Sequence, residues 1–321
     1  MAVFKHMDRQ EIEAIIKNFN IGTLQEYEPI VKGIDNSNFK ITTNNGFFIL
    51  TIFNPRLKTE DLPYYLDFMN HLKNKSIACP EVIKSHVGET VSLLDNYYRY
   101  SILSFMQGEE AKKIELQHIR EAGKTLALMH KASEDFTQQK PNDMDLYNCG
   151  ELVMSSLPLT KDFDTSLENT LIEEAKFLKS NIEKYQHLPK GNIHADFFPD
   201  NVFFNTENKI SAVIDFYFSC YDFYVYDLML AINAWCLEKH TDNNEEKIYA
   251  FLEEYQKTRT LSEEEKSALN FFGRVAAYRI TASRIYDWFN TPKTALINTH
   301  NPLEYVRILK SYITQETNIK L

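Results

Sequence analysis

Glycine, proline and cysteine are all scarce here, with nine, ten and four residues in a chain of 321. No Pro/Gly/Ser-rich linker, internal repeat or low-complexity tract divides the sequence. A string of loosely tethered modules is therefore excluded, and the length suits one cooperative unit of two domains or two lobes. Cys79, Cys149, Cys220 and Cys236 form no Cys-x-x-Cys pair and have no nearby His at ligand spacing. They read as reduced, mostly buried thiols, not as a disulfide framework or a zinc site. Positive charge is also short: 35 Lys+Arg against 45 Asp+Glu give a net charge of −10 and a pI near 5.5. No nucleic-acid partner held through its phosphate backbone is expected. Nor does any stretch approach the length that spans a membrane. Met1-Ala2-Val3-Phe4-Lys5-His6 lacks an apolar signal core, so a cytoplasmic protein is expected. What remains is the composition of an ordinary globular protein, 44% hydrophobic and 25% charged.

Against that background one stretch stands out: Gly191-Asn192-Ile193-His194-Ala195-Asp196-Phe197-Phe198-Pro199-Asp200-Asn201, followed by Ile214-Asp215-Phe216. An Asp five residues before an Asn, with a second Asp closing the next strand, supplies one proton acceptor and two metal ligands. Phosphoryl transfer needs that set, because it is catalysed mainly by positioning and by electrostatic stabilisation. Asp196 would orient an acceptor hydroxyl and take its proton. Asn201 and Asp215 would give Mg²⁺ the hard oxygen ligands it prefers. Taken singly, each also fits a loop in which His194 and Asp196 cap neighbouring turns and Asp215 ends a strand. Spacing, order and flanking pattern together select the chemistry.

Around this centre the chain reads as α+β. Asp8 and Glu11 resemble a capping box ahead of Ile12, Ile15, Ile16 and Phe19, a first helix stopped by Gly22. Phe39–Thr43 and Phe47–Phe53, joined through Asn44-Asn45-Gly46, predict a hairpin. The small polar turn before it offers the N–H groups of Asn36 and Ser37 to a nucleotide's phosphates, or is an ordinary loop. A helix from Thr59 carries Leu62, Leu66, Met69 and Leu72, and strands are predicted at Glu81–Lys84, Thr90–Leu94 and Arg99–Phe105. The result is an N-terminal nucleotide-binding lobe over residues 1–105 with a five-stranded antiparallel sheet. A larger, mainly helical catalytic and substrate-binding lobe would span 106–321. The hinge is expected near 105–108, where the backbone of Phe105 and Gln107 suits an adenine edge.

In the second part, Ile119, Ala122, Leu126 and Met129 predict a helix ending near His130, and Phe163–Tyr185 a longer one. Val202–Phe204 and Ile210–Ile214 predict a strand pair that braces the catalytic loop. Asp227 opens an apolar helix and either caps it or reaches back to orient that loop. Ser262 and Glu265 form a second capping box, opening a helical region to Asn290, and Pro302–Gln315 predicts a final helix.

With these residues assembled, the chain resembles the aminoglycoside phosphotransferase/choline kinase-like superfamily, and more closely its bacterial homoserine kinases. The matching stretches run almost end to end. They include Met1–Phe4, Gly33-Ile34-Asp35-Asn36-Ser37-Asn38, Lys140-Pro141-Asn142, Ile193-His194-Ala195-Asp196, Asp200–Phe204, Asp215-Phe216-Tyr217-Phe218, Asn233-Ala234-Trp235-Cys236 and Arg284-Ile285-Tyr286-Asp287-Trp288. The resemblance implies a two-lobed protein-kinase-like fold, ATP and Mg²⁺ as cofactors, and phosphorylation of L-homoserine on the threonine pathway. It makes Asp196 the catalytic base, Asn201 and Asp215 the metal ligands, and His194 and Asp227 structural support of the site.

One departure concerns phosphate anchoring: the strand that normally offers a Lys to the phosphates presents Thr51. Arg56 and Lys58 are nearby cations that either compensate or are surface charges. A zwitterionic acceptor needs a cation or N–H groups for its carboxylate and an acid for its ammonium. Tyr217, Arg279, Arg284 and Asp287 are the candidates, with an intramolecular Arg–Asp pair or core aromatic as the plainer reading. Two other functions fit the motifs. One is a kinase for another hydroxyl acceptor (an aminoglycoside, a choline-like amino alcohol or a sugar). The other is a catalytically silent nucleotide-binding protein. The sequence sets no oligomeric state.

Overall fold

A computed structural model describes residues 5–30, 36–55, 57–160, 167–237, 244–291 and 299–321. The matching stretches Met1–Phe4 and Gly33-Ile34-Asp35, and the candidate cation Arg56, lie outside the described residues. The chain divides into two compact units. The first comprises Met1–Gly108, Ser211–Tyr217 and Thr294–Ile297; the second comprises Glu109–Ile210, Phe218–Lys293 and Asn298–Leu321.

The first unit begins with helix α1 (Arg9–Ile16), which forms because its start is doubly satisfied. Asp8 Oδ1 accepts the Glu11 N–H at 2.8 Å and Glu11 Oε2 accepts the Asp8 N–H at 2.8 Å. Strands β1 (Leu24–Ile30), β2 (Ser37–Thr43) and β3 (Gly46–Ile52) follow, then α2 (Leu62–Asn74), β4 (Val82–Ile83), β5 (Ser92–Leu94) and β6 (Tyr98–Ser104). The sheet order is β1-β2-β3-β6-β4 with β5 also on β6, and every pairing is antiparallel. Six strands are therefore present where the sequence predicts five. The added strand, β1, pairs only with β2 and carries Pro29, which an edge strand tolerates because the lost N–H has no ladder partner. Its burial does not alternate, so it lacks the period-two signal of a half-buried strand.

Alternation is clear in β2, where Phe39 and Ile41 turn inward to meet Leu50 and Ile52 of β3, Tyr100 and Ile102 of β6, and Ile12 and Ile16 of α1. Gly46 closes the β2–β3 turn at φ +131°, a conformation that only glycine adopts cheaply. Helix α2 buries Leu62, Leu66, Met69 and Leu72 as its pattern predicts, together with Tyr64, Tyr65 and Phe68. The returning segment 211–217 is tied into this unit by the Val213 N–H donating to the Ala78 carbonyl at 2.7 Å. Ser211 Oγ donates to the Gln107 carbonyl, also at 2.7 Å, and the Phe216 ring packs edge-on against Phe68.

The second unit is mainly helical. It holds α3 (Leu116–Ala132), α4 (Leu146–Thr160), α5 (Leu167–Asn181), α6 (Tyr224–Ile232), α7 (Asn244–Gln256), α8 (Glu263–Asn290) and α9 (Leu303–Ile313). The helix predicted from Phe163 is observed from Leu167, and 161–166 lie outside the described residues. Two helices, α4 and α7, carry no sequence expectation. For α7 a signal existed, since buried Ile248, Phe251, Leu252 and Tyr255 follow helical spacing. Helix α3 packs on α7, and a Cβ on Gly123 would sit 2.3 Å from the Phe251 carbonyl oxygen, so the close approach requires glycine. The 28-residue α8 starts from the Ser262–Glu265 capping box and packs against α4, α6 and α9. Its Arg274 grips the nearly buried Glu174 of α5 with two parallel N–H donors. Strands β7 (Lys190–Ile193) and β10 (Cys220–Phe223) pair antiparallel, with Gly191 opposite Asp222 and Ile193 opposite Cys220. Between them in sequence come β8 (Val202–Phe204) and β9 (Ile210–Val213), the two strands predicted after the catalytic motif. Among the described residues no helix is long and apolar enough to cross a membrane.

Candidate active site

The candidate catalytic motif leaves β7 and enters a loop fixed by its backbone. A Cβ on Gly191 would overlap the Tyr224 hydroxyl at 1.9 Å, so the strand can lie against α6 only with glycine there. Ala195 then takes φ +59°, a left-handed conformation that costs a non-glycine residue about 1–2 kcal/mol. The offset comes from Asp227, fully buried in the first turn of α6. Asp227 Oδ1 accepts the Ala195 N–H at 2.8 Å, and Oδ2 accepts the His194 N–H at 3.2 Å. His130 Nε2 meets the same Oδ2 at 2.9 Å.

The loop is held from two more sides. His194 Nδ1 accepts the Asp196 N–H at 3.2 Å, which places the ring proton on Nε2. Trp235 Nε1 donates to the Phe197 carbonyl at 2.8 Å while its ring packs on Phe197. Trp235 belongs to the turn of π-helix Asn233–Leu237. That turn is itself anchored, because Asn233 Nδ2 donates to the Gly273 carbonyl and Tyr312 donates to Asn233 Oδ1. The Lys140-Pro141-Asn142 segment steadies β10: Asn142 Nδ2 reaches Asp222 Oδ2 at 2.8 Å, and the Tyr221 N–H reaches the Lys140 carbonyl at 2.7 Å.

Asp196, unlike the fully buried Asp227, keeps 20% of its side chain accessible. Asn201 Nδ2 donates both to the Asp196 carbonyl at 2.9 Å and to its Oδ2 at 3.0 Å. Arg279 Nη1 approaches the other carboxylate oxygen, Oδ1, at 3.4 Å. Burial pushes the Asp196 carboxyl up to about 6, against the opposing pull of Arg279. A carboxylate with its carbonyl and both oxygens oriented, yet still reachable, is built to accept a proton from a bound group. Asn201 spends its amide N–H₂ on Asp196, which leaves its Oδ1 as a hard donor.

Residues 26–261 match the phosphotransferase enzyme family. This chain belongs to that family. It is 37% identical to the homoserine kinase of Sinorhizobium medicae over 95% of this chain and 93% of that protein. It is 38% identical to the homoserine kinase of Agrobacterium fabrum over 98% and 96%. Relatives this similar over nearly the whole length place the chain with the homoserine kinases of the family. Among solved structures, an amicoumacin kinase in complex with AMP-PNP and Ca²⁺ superposes at a TM-score of 0.73 with 14% identity, covering 98% of this chain and 95% of that one. A spectinomycin phosphotransferase in complex with ADP and spectinomycin gives 0.67 with 14% identity, covering 96% and 95%. Likeness at that identity shows the shared fold: an antiparallel sheet first, then a mainly helical part.

The remaining site candidates of this phosphotransferase fall in the two units as follows. In the first unit, Asn36 Oδ1 accepts the Asn54 N–H at 3.0 Å, and Ser37 Oγ accepts the Lys5 N–H at 3.3 Å. The Phe105 N–H donates to the Phe47 carbonyl. Asp215 adopts φ +65°, at the end of the segment that follows β9. Tyr217 packs edge-on against Phe53 and Tyr65, and its hydroxyl is bonded to Thr51, whose Oγ1 donates to Asn38 Oδ1 at 2.8 Å. The position that the wider fold gives to a Lys is thus part of a neutral Asn38–Thr51–Tyr217 chain, and burial pushes the Tyr217 hydroxyl well above its ordinary value.

In the second unit, Arg284 is engaged by Glu304 of α9 at 2.9 Å and stacks over Tyr305. Asp287, three residues on, is exposed. The residues that sequence reasoning missed are His130, Tyr255, Trp235 and Asn233. His130 and Tyr255 complete a buried polar chain behind Asp227. Trp235 and Asn233 lie in a stretch that carries the family resemblance, but a helix-to-loop clamp leaves no periodic mark from which their role could be read.

Proposed function

We propose that this chain is an ATP-dependent kinase that phosphorylates the side-chain hydroxyl of L-homoserine, giving O-phospho-L-homoserine for threonine biosynthesis in the cytoplasm. The observation that carries the reaction type is the Asp196 loop, a reachable carboxylate held by Asn201, Asp227 and Trp235. The relatives' near-full-length identity supports the acceptor. Asp196 orients the hydroxyl and takes its proton as the oxygen bonds to the γ-phosphorus and ADP leaves. Positioning supplies most of the rate, so the loop's backbone anchors matter as much as the acid itself.

The donor set fits Mg²⁺: an amide oxygen at Asn201 and a carboxylate at Asp215 are hard ligands of the kind that ion takes in small number beside substrate phosphates. Bound there, Mg²⁺ would neutralise charge on the phosphates. Main-chain groups at Phe105 and Gln107 would read the adenine edge, and those of Asn36 and Ser37 would lie against the phosphates. The β3 position that the wider fold gives to a Lys brings no cation here, because Thr51 is bonded within its own unit. The ordered catalytic loop weighs against a silent nucleotide-binding protein.

The reading is tested by ADP release from Mg·ATP with L-homoserine, choline and kanamycin as acceptors. Homoserine-dependent turnover well above the other two is expected, and its absence overturns the assignment.

A further inference from the structure

Resting on the homoserine reading, we propose that Arg279 is the anchor of the acceptor's carboxylate, and that seating this carboxylate draws the guanidinium off the catalytic Asp196. Arg279 is only 3% exposed, and its guanidinium carries five N–H donors. Among the described residues its one hydrogen bond is the 3.4 Å approach to Asp196 Oδ1, longer than such bonds usually run. Its Nε is buried with no partner among the described residues. A buried cation so thinly compensated is costly, and a carboxylate accepting from Nε and Nη together is the ligand its fork matches best.

The surroundings extend the pattern. The guanidinium lies 4.9 Å from the centre of the Phe218 ring, which is partly exposed and can cover a bound ligand. Ser219, next in the chain, is fully buried, and its Oγ has no partner among the described residues. The same holds for the hydroxyl of Tyr226, which acts electrostatically on Arg279. The unpartnered Nε of Arg279, on a guanidinium that touches the catalytic base, with the unpartnered Tyr226 hydroxyl acting on it, is organised for an anion held close to the reacting hydroxyl. Homoserine is such a molecule, because only Cα, Cβ and Cγ separate its carboxyl carbon from its hydroxyl.

The other arginines of α8 are spoken for. Arg274 is gripped by Glu174 and Arg284 by Glu304. Among the described arginines of that helix, Arg279 is the one whose acid partner is the base itself. Without acceptor it occupies one oxygen of Asp196. A carboxylate that takes over the guanidinium frees that oxygen for the hydroxyl proton. An alcohol lacking the carboxylate leaves Arg279 on the base and loses kcat as well as KM.

The test compares L-homoserine with 3-aminopropan-1-ol, which is homoserine without its carboxylate, and with L-homoserine amide, in the wild-type protein and in Arg279→Gln. Wild type is expected to favour homoserine over either analogue by roughly 30- to 100-fold in kcat/KM, the worth of a charge-assisted pair. In Arg279→Gln that preference is expected to fall to within about threefold, chiefly through a raised KM for homoserine. A preference that persists in the variant, or equal use of acid and amide by wild type, overturns the proposal. The wild-type comparison stands even where the variant folds poorly. Failure of wild type to phosphorylate homoserine at all overturns the acceptor reading instead.

Discussion

The Asp227 carboxylate accepts the N–H of Ala195 at 2.8 Å, and Ala195 is the residue of the catalytic loop with left-handed backbone. The bond and the strain belong together: the loop turns sharply to present Asp196, and a buried anion from α6 holds the turn closed. Asp227→Asn keeps the size but turns an N–H₂ toward groups that are themselves donors. Turnover is expected to fall roughly 100-fold through misplacement of Asp196, and stability by about 2 kcal/mol. Steady-state kinetics and thermal melts on the same preparation check this, and wild-type kcat in the variant overturns the bracing role.

Asp196→Asn should remove the proton acceptor and the acid partner of Arg279 while the loop keeps its place, since Asn201 and Trp235 still hold it by its backbone. The expected loss in kcat is roughly 10²–10⁴-fold, the usual worth of a general base. Calorimetric titration with an ATP analogue should show nearly unchanged nucleotide affinity. Near-normal turnover would assign the proton elsewhere.

Trp235→Phe isolates one contact. The ring remains to pack on Phe197, but the Phe197 carbonyl loses the indole N–H. A buried acceptor left unsatisfied costs about 1–3 kcal/mol, which should appear as a lower melting temperature. Turnover should fall less than in Asp227→Asn, because Ala195 and His194 keep their own anchor. Equal melting temperatures for the variant and wild type would mean that this hydrogen bond contributes nothing.

The residues proposed for the chemistry were legible because chemistry constrains spacing: Asp196, Asn201 and Asp215 sit in a pattern that little else requires. The capping boxes at Asp8 and Ser262 were legible for a similar reason, being closed within one turn of chain. Strand β1 was not, since an edge strand with Pro29 and no alternating burial carries neither of the usual marks. The reach of Asp227 back to the loop was one of two readings the sequence offered, but the anchors around it were hidden for a different reason. Trp235 meets Phe197 across more than thirty residues, and His130 meets Asp227 from 97 residues away. Such contacts are fixed by the fold of α3, α6 and the π-helical turn together, and leave no local periodicity. Arg284 shows the same limit, since its contact with Glu304 of α9 joins two helices and could not be read from spacing within α8.

His130 gives the chain behind Asp227 a pH signature. Its Nε2 donates to Asp227 and its Nδ1 accepts from Tyr255, so the neutral ring satisfies both neighbours. Tyr255 in turn accepts from Arg259, which is paired with Glu265. Burial holds His130 below its ordinary value of 6.5, outweighing the opposing pull of Asp227. Below about pH 6.5 the unfolded chain therefore takes up a proton that the native protein refuses, and stability present at higher pH is lost on acidification. The slope contributed by one such group reaches about 1.4 kcal/mol per pH unit. Asp196 acts in the opposite sense, because its raised carboxyl binds a proton first in the native state. The contribution of His130 is best read as a difference: urea unfolding of wild type and His130→Gln from pH 8 to 5.5. Gln retains a donor for Asp227 but does not titrate. The variant is expected to be less stable at pH 8 and to converge on wild type as the pH falls, whereas a gap constant across the range would show that His130 is not held neutral.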